Sequence, residues 1–416
     1  MDKMFKIKQQ FSLVTGKNGK AIYDLSTGDI YELNGEYCEA LDNYNILEDV
    51  FIINENNNYI FKELEEMGIG IISDKNDVLF RYEDIVSSMI SNNLNVSNHL
   101  ESAFIEVTNK CNLNCSFCEQ NVVNRATSCK RFSKEGKRVN LDKIKEYIID
   151  SYHVGVNNIS IIGGEPLLET DYVYEIIKVA NSLEMKINIF TNGTIFPSNS
   201  LLELFKETDI QLTVQFITDD KMLGDEITNY KNYWDIMKNN ISELILHGVN
   251  IRGQIIIGSF NEKEIDRILN SVKDLEIEDI SYNYITPTSK NDFSISDKRQ
   301  LFNKKHNIKR VNKTLYHNMK TKQICFSNLI ALSVEGDFIP CPSLRLKLGN
   351  IETTTLADIL NSNEYQKLKF LCKDKIDHCK FCKLRYGCMD CRAIEYTATG
   401  KINGLINCEE VINERV

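Results

Sequence analysis

A regular alternation of apolar and amphipathic stretches, from residue 102 to about residue 290, constrains the fold of this chain more than any other feature. The apolar stretches are short, as are strands of a sheet that is covered on both faces. They read SAFIEVT, NISIIGG, KINIFTN, IQLTVQFI, NIRGQIIIG and DISYNYIT. Segments with helical spacing, such as LDKIKEYIIDSYHVG, lie between them. Six such repeats predict an α/β fold built on a partial (β/α)6 TIM-like barrel, with an active face formed by the loops after the strands.

The segments on either side of these repeats predict two further domains. Residues 1–95 combine β-branched and aromatic stretches with two short helical stretches, which predicts a small winged-helix-like α+β domain. This domain is either a decorative addition without a binding role or a peptide-docking domain. A docking domain of this kind would be RRE-like, that is, similar to the recognition domains that bind precursor peptides, and its exposed strand edge would accept the peptide as an added strand. Residues 311–416 are dense in cysteine and predict a small metal-stapled domain. The barrel then occupies residues 96–310.

Composition narrows the function classes. The chain has 416 residues, 13 cysteines and a formal net charge of −10. An acidic chain does not attract a phosphate backbone, so we expect no nucleic-acid partner. No apolar run reaches the roughly 18 residues of a membrane span, and the start MDKMFKIKQQ lacks the apolar core of a secretory signal, so we expect a cytoplasmic protein without a membrane partner. Cytoplasmic cysteines stay reduced, and clustered ones are typical of metal ligands.

The stretch CNLNCSFC directly follows the first predicted strand and therefore lies on the active face. Its three cysteines, Cys111, Cys115 and Cys118, are spaced so that one loop can bring three thiolates to one centre. Three thiolates on a [4Fe–4S] cluster leave one iron free for a small molecule. The alternative is structural zinc with Cys129 as the fourth ligand.

A second motif, IIGGEPLL, ends the second predicted strand. Gly163 and Gly164 permit close backbone approach and unusual dihedral angles, and Glu165 before Pro166 is biased towards an extended conformation. Beside the three-cysteine loop, this stretch is expected to form the other wall of one pocket.

Together, these two motifs resemble those of the radical S-adenosylmethionine (SAM) enzymes, over about residues 102–290. The resemblance implies that the three cysteines hold a cluster, that SAM binds its open iron, and that one-electron cleavage of SAM leads to hydrogen abstraction from a C–H bond. The implied SAM-binding residues are Phe117, beside the adenine, then Gly163, Gly164, Glu165 and Pro166, beside the methionine amine, and the candidates Asn192, Gln215 and Arg252 for ribose and carboxylate. Each of the last three is equally suited to a buried hydrogen bond.

The C-terminal cysteines resemble the SPASM extension of radical enzymes that modify peptides, although the last gap of the quartet from Cys379 to Cys391 is two residues where the family has three. The resemblance implies two auxiliary [4Fe–4S] clusters, and therefore three clusters in all. Cys325, Cys341 and Cys391 are assigned to the first, with Cys372 or an open position as its fourth ligand. Cys379, Cys382, Cys388 and Cys408 are assigned to the second. The alternative for this region is a zinc ribbon.

The stretch CKFCKLRYGCMDCRA, together with AIYDLSTGDIYELN near the start, resembles the maturases of ribosomally made peptides, of the type encoded beside ATP-grasp ligases. The hypothesis is hydrogen abstraction from a precursor-peptide residue followed by oxidative crosslinking through a thioether or carbon–carbon bond. An external flavodoxin- or ferredoxin-type reductant is expected as a partner. The second hypothesis is formylglycine formation, as in anaerobic sulfatase activation. A third is a zinc-stapled binding protein without catalysis.

Overall fold

The computed structural model describes residues 3–45, 50–74, 99–119, 122–123, 136–287, 308–405 and 408. The chain divides into two compact units. The smaller comprises residues 1–97, 304–323 and 371–390, and the larger comprises residues 98–303, 324–370 and 391–416. The predicted boundary at residue 95 lies outside the described residues, and the three-domain division stays a prediction.

The N-terminal segment forms two small antiparallel sheets with two helices. One sheet has the strand order β5-β6-β1-β7, and the other has the order β2-β3-β4. The strands are β1 (Lys3–Ile7), β2 (Phe11–Gly16), β3 (Gly19–Asp24), β4 (Ile30–Leu33), β5 (Tyr44–Asn45), β6 (Val50–Ile52) and β7 (Gly70–Asp74), and the helices are α1 (Glu36–Ala40) and α2 (Asn58–Glu66). The aromatic rings of Phe5, Phe51 and Phe61 form the centre of its core. The mixed α+β composition is therefore confirmed, and the comparison with a winged helix stays a prediction.

The six predicted strands of the barrel are confirmed. They lie in the order β14-β13-β12-β11-β10-β8, and each neighbouring pair is parallel. Among the described strands, no pairing closes this sheet into a complete barrel. The strands are β8 (Ser102–Thr108), β10 (Asn158–Gly163), β11 (Lys186–Thr191), β12 (Ile210–Phe216), β13 (Asn250–Ile257) and β14 (Ile280–Tyr284), and the short strands β9 (Val122–Val123) and β15 (Thr286–Pro287) pair with each other.

The helices between these strands are amphipathic and cover one face of the sheet. Ile159 and Ile161 of β10 pack into the same apolar cluster as Ile144 and Ile176 of the helices. The helices are α3 (Ser116–Glu119), α4 (Leu141–His153), α5 (Thr170–Ser182), α6 (Asn199–Glu207), α7 (Lys221–Thr228), α8 (Tyr233–Leu246) and α9 (Ile265–Lys273). Because side chains alternate along a strand, polar residues such as Thr213 and Gln215 occupy the opposite face. None of the described helices has the length and apolar character needed to span a bilayer.

The C-terminal region extends the same sheet. Strand β16 (Leu329–Leu332) pairs in parallel with β8, and β17 (Asp337–Ile339) turns back against β16 at Gly336, whose φ is 79°. The stretch LIALSVEGDFIPCPS thus contains a β-hairpin. The remaining elements are β18 (Gly349–Asn350), α10 (Lys313–Thr321), α11 (Ile324–Asn328), α12 (Leu356–Asn361), α13 (Asn363–Lys369) and α14 (Arg392–Thr399).

Candidate functional site

The loop after β8 brings the three cysteines of CNLNCSFC together. Helix α3 holds Cys118, whose backbone N–H donates to Cys115 O at 2.9 Å. The thiols of Cys115 and Cys118 share a hydrogen bond, and Cys111 is close enough to both to act on them electrostatically. Among the described residues, no three or more His, Cys, Asp or Glu side chains are arranged so that they could hold a single metal ion. Cys129, the alternative zinc ligand, lies outside the described residues.

The surroundings of Cys111 and Cys115 disfavour their ionised forms. Burial raises the pKa of Cys111 to about 12, and the Glu165 carboxylate adds to that rise. The pKa of Cys115 is also raised, first by its hydrogen bond with Cys118 and then by burial. A bound metal centre removes this cost because it binds and stabilises thiolates. The donor set therefore fits a metal cluster better than it fits a free nucleophile.

The GGEP turn lies against the start of the cysteine loop. Gly164 N donates to Thr108 O, and Glu165 N donates to Lys110 O, both at 2.8 Å. A Cβ at Gly163, whose φ is 154°, would lie 2.4 Å from Thr108 O, and one at Gly164 would lie 2.3 Å from Lys110 O. The glycines thus allow two chain segments to touch, and that contact fixes the position of the loop that begins at residue 111.

Glu165 is fully buried and binds its own chain. One carboxylate oxygen accepts from Leu167 N at 3.0 Å and Thr191 Oγ1 at 2.9 Å, and the other accepts from Asn192 N at 2.8 Å. Burial raises its pKa to about 7, although these hydrogen bonds oppose the rise. Pro166 opens a short 3₁₀ helix at this turn. The predicted contact of the GGEP stretch with SAM stays a prediction.

A ring of polar side chains joins the end of β11 to the cysteine loop. Asn192 Nδ2 donates to Asn112 Oδ1 at 3.0 Å and lies 3.7 Å from Cys111 Sγ. Asn112 Nδ2 donates to Thr194 Oγ1 at 2.8 Å. Sequence reasoning selected Asn192 and missed Asn112 and Thr194. The signal available for them was their place in the CNLNC loop and the FTNGT turn.

The remaining predicted SAM-binding residues, Phe117, Gln215 and Arg252, differ in their distance along the chain from the active-face ends of the strands. The Phe117 ring stacks on Phe260, with centroids 5.7 Å apart. Gln215 lies near the end of β12, and its backbone O accepts a hydrogen bond from the Tyr233 hydroxyl at 3.3 Å. Burial raises the pKa of this hydroxyl, and the nearby Cys115 raises it further. Arg252 stands near the start of β13, where its Nε lies 3.3 Å from Asp279 Oδ1. Phe117 belongs to the cysteine loop itself, and Gln215 is linked to it through Tyr233. Arg252 lies near the other end of its strand, so its assignment stays a prediction that this placement does not support.

Three cysteines assigned to the first auxiliary cluster converge in the larger unit. Burial raises the pKa of Cys341 to about 12, and Cys391 and Cys325 raise it further because they lie close by. Cys341 and Cys391 pack against an apolar cluster that includes Phe326 and Leu344. These residues come from three separate segments of the chain, and this convergence is the arrangement that a shared ligand needs.

Three cysteines assigned to the second auxiliary cluster lie on one segment of the smaller unit, Cys379, Cys382 and Cys388. The β2–β3 hairpin supports this segment. Lys17 N donates to Phe381 O at 2.7 Å, and Tyr23, which is fully buried, donates its hydroxyl to Lys383 O at 3.0 Å. The N-terminal sheet is thus part of the scaffold for these cysteines. The assignments of Cys372 and Cys408 stay predictions.

A buried ion pair inside the larger unit had no sequence signal. Glu106 of β8 is 3% exposed, and one of its oxygens pairs with Arg345 Nη1. The other accepts from Val334 N at 3.1 Å. The pair therefore ties the first barrel strand to the loop that carries Cys341.

Comparisons with known proteins agree with this arrangement. A family model for the radical SAM superfamily matches residues 105–272, and a model for the iron–sulfur cluster-binding SPASM domain matches residues 325–391. An uncharacterised protein of Methanocaldococcus jannaschii is 28% identical over 183 residues, a match that spans 44% of this chain and 56% of that protein. The chain thus spans little more than half the length of that relative.

Two solved structures share the fold. Streptococcus suis SuiB, bound to the precursor peptide SuiA, is 16% identical with a TM-score of 0.55, and the match covers 94% of this chain and 96% of SuiB. The protein anSMEcpe with bound AdoMet is 14% identical with a TM-score of 0.55, and the match covers 75% of this chain and 95% of that one. Only 6% of this chain (100% − 94%) lies outside the match to SuiB, so the match includes most of residues 1–95.

Proposed function

We propose that this chain, a member of the radical SAM superfamily with a SPASM domain, is a maturase of a ribosomally made precursor peptide. It would cleave SAM reductively, abstract hydrogen from a peptide residue and form an oxidative crosslink. The observation that carries this proposal is the meeting of the three-cysteine loop with the GGEP turn, in a chain that also groups SPASM cysteines.

The residues fit the cluster and the cofactor. Cys111, Cys115 and Cys118 would hold a [4Fe–4S] cluster with one iron open. When bound, the cluster and SAM supply one-electron chemistry that starts a radical reaction at a C–H bond. The stacked pair of Phe117 and Phe260 offers an aromatic surface beside the loop for the adenine.

The buried polar groups around the loop would hold its geometry during the reaction. Glu165 accepts three hydrogen bonds that join the GGEP turn to the end of β11, and Asn192 joins that end to the cysteine loop. Since buried hydrogen-bonded groups move little, the ligand cysteines would keep one arrangement.

When bound, the two auxiliary clusters would supply the electron-transfer chemistry that oxidation of the peptide requires. Cys325, Cys341 and Cys391 would hold the first, with Cys372 or an open position as fourth ligand. Cys379, Cys382, Cys388 and Cys408 would hold the second. A flavodoxin- or ferredoxin-type protein would supply the electron that starts the cycle.

The N-terminal domain would dock the leader of the peptide. It is one of the regions that the SuiB match spans, and SuiB was crystallised with the precursor peptide SuiA bound. Strand β7 is an edge strand of the described sheet, and Ile71 on it is 36% exposed. An exposed edge offers main-chain hydrogen bonds to an extended peptide.

Point variants test docking better than deletion of residues 1–95, because the deleted β2–β3 hairpin also supports the segment with Cys382. Ile71→Asp should lower the affinity for a labelled precursor peptide at least tenfold and leave SAM cleavage without peptide unchanged. Met222→Ser, at an exposed apolar residue of the larger unit, is the control. Unchanged peptide affinity in Ile71→Asp would remove β7 from the proposal.

Formylglycine formation is the second candidate, because anSMEcpe, which shares the fold, has been solved with AdoMet and a Cp18Cys peptide bound, and cysteine is a residue that formylglycine formation oxidises. The two products differ in mass. An oxidative crosslink removes two hydrogens from the peptide, whereas oxidation of a cysteine to formylglycine replaces its thiol with an aldehyde. Mass spectrometry of peptides encoded beside the gene, after anaerobic turnover, decides between them. A zinc-stapled binding protein would contain zinc, lack iron and leave every peptide unmodified.

A further inference from the structure

The side-chain amide of Asn192 reaches the sulfur of a candidate cluster ligand. Its Nδ2 lies 3.7 Å from Cys111 Sγ and donates to Asn112 Oδ1 at 3.0 Å. An amide nitrogen carries two hydrogens, so it can serve both acceptors. Asn192 is 9% exposed, so water competes little for either bond.

The orientation of this amide is fixed by its other end. Asn192 Oδ1 accepts from the backbone N of Thr194 at 2.9 Å and from its Oγ1 at 2.6 Å. A flipped amide would turn Nδ2 towards the backbone N–H of Thr194 and Oδ1 towards the Asn112 oxygen and the sulfur. Both contacts would then be repulsive, so the nitrogen faces Cys111.

Glu165 acts on the same sulfur with the opposite sign. Its buried carboxylate lies close enough to Cys111 to disfavour added negative charge there. The backbone N–H of Asn192 donates to Glu165 Oε2 at 2.8 Å. Asn192 therefore lies between the buried Glu165 carboxyl group and the sulfur, and it offers a donor to each.

We propose that Asn192 is a positioning residue that raises the reduction potential of the cluster held by Cys111, Cys115 and Cys118. This inference rests on the proposed function. Reduction adds negative charge to a cluster and its sulfurs, and an N–H···S hydrogen bond stabilises that charge. Without the bond, the cluster accepts an electron from the external reductant less readily.

The test is an anaerobic redox titration of the reconstituted full chain, followed by electron paramagnetic resonance. The relevant signal is the one that changes when SAM is added, because SAM binds the open iron. Asn192→Ala should make reduction about tenfold less favourable, a midpoint lower by about 59 mV for one electron. Asn192→Asp, which places an oxygen near the sulfur, should lower the midpoint further.

Asn240→Ala is the matched control. Asn240 Nδ2 donates to Gly193 O at 3.1 Å, so this variant disturbs the same turn without touching the sulfur. Its midpoint should equal that of the wild type. An unchanged or raised midpoint in Asn192→Ala would overturn the inference, and so would loss of the SAM-sensitive signal, which would make Asn192 a structural support. Absence of iron from the wild type would refute the proposed function instead.

Discussion

Replacing Arg345 by methionine tests whether the buried ion pair stabilises the larger unit. The change keeps much of the side-chain volume and leaves Glu106 as an unpaired carboxylate that is 3% exposed. Breaking a buried pair from one side costs about 3–5 kcal/mol. The Arg345 side chain is 22% exposed, so water already screens part of this interaction. We therefore expect a loss near the lower end, about 3 kcal/mol at neutral pH.

The loss should grow with pH. Burial raises the pKa of Glu106, and Arg345 is the strongest influence that opposes the rise. Without Arg345 this pKa rises further above its value in the unfolded chain. The folded state then holds the proton more tightly than the unfolded state, which favours folding at low pH. That advantage disappears as pH increases through the folded-state pKa, so Arg345→Met should be closer to wild type at pH 5 than at pH 8.

Anaerobic urea unfolding measures the effect, followed by the fluorescence of Trp234, the single tryptophan, which is buried in the same unit. Adding Glu106→Gln to Arg345→Met removes the orphaned charge and keeps an acceptor for Val334 N, so the double variant should regain most of the stability. Lys206→Met breaks an exposed pair with Glu203 and should change stability by less than about 1 kcal/mol. If Arg345→Met lost no more stability than the Lys206→Met control, or if the double variant regained none, the reasoning would be refuted.

Three other changes probe the scaffold. Tyr23→Ala should lower the free energy of unfolding of the smaller unit by about 3–5 kcal/mol, and the bound iron by about four atoms if the second auxiliary cluster is lost. The control Tyr23→Phe loses only the hydrogen bond to Lys383 O and should keep the iron. Full iron content in both variants would contradict the scaffold role of Tyr23. Gly164→Ala should destabilise the larger unit by about 1–3 kcal/mol or more, because its Cβ would meet Lys110 O at 2.3 Å; a wild-type urea midpoint would show that the turn yields. Phe117→Ala should weaken SAM binding by about 0.5–1.5 kcal/mol beyond the lost apolar area, measured by equilibrium binding, and unchanged affinity would exclude the stacking role.

The six parallel strands were predictable because each is a local apolar stretch bounded by helical segments, and their order follows the chain. The pairing of β16 with β8 was not, because it joins Leu329 to Ser102 and no local pattern records a contact so distant in sequence. The same limit applies to Glu106 and Arg345. Residues 1–95 read as a separate domain because nothing local reveals that Tyr23 supports the segment around Lys383.

At the site, spacing alone predicted that Cys111, Cys115 and Cys118 meet, because one loop holds all three. The roles of their neighbours depended on geometry. The place of Glu165 beside the methionine amine stays a prediction, whereas the structure shows that its oxygens accept from Leu167 N and Asn192 N of its own chain. Buried carboxylates need such donors, and a sequence does not show where the donors lie.

The most direct test of the central claim is the formation of 5′-deoxyadenosine from SAM by the reduced full chain under anaerobic conditions. The wild type should contain about twelve irons in three clusters and yield this product. Cys118→Ala should keep about eight irons and yield none, because it loses a ligand of the cluster to which the proposal assigns SAM. No product from iron-loaded wild type, or equal product from Cys118→Ala, would contradict the account.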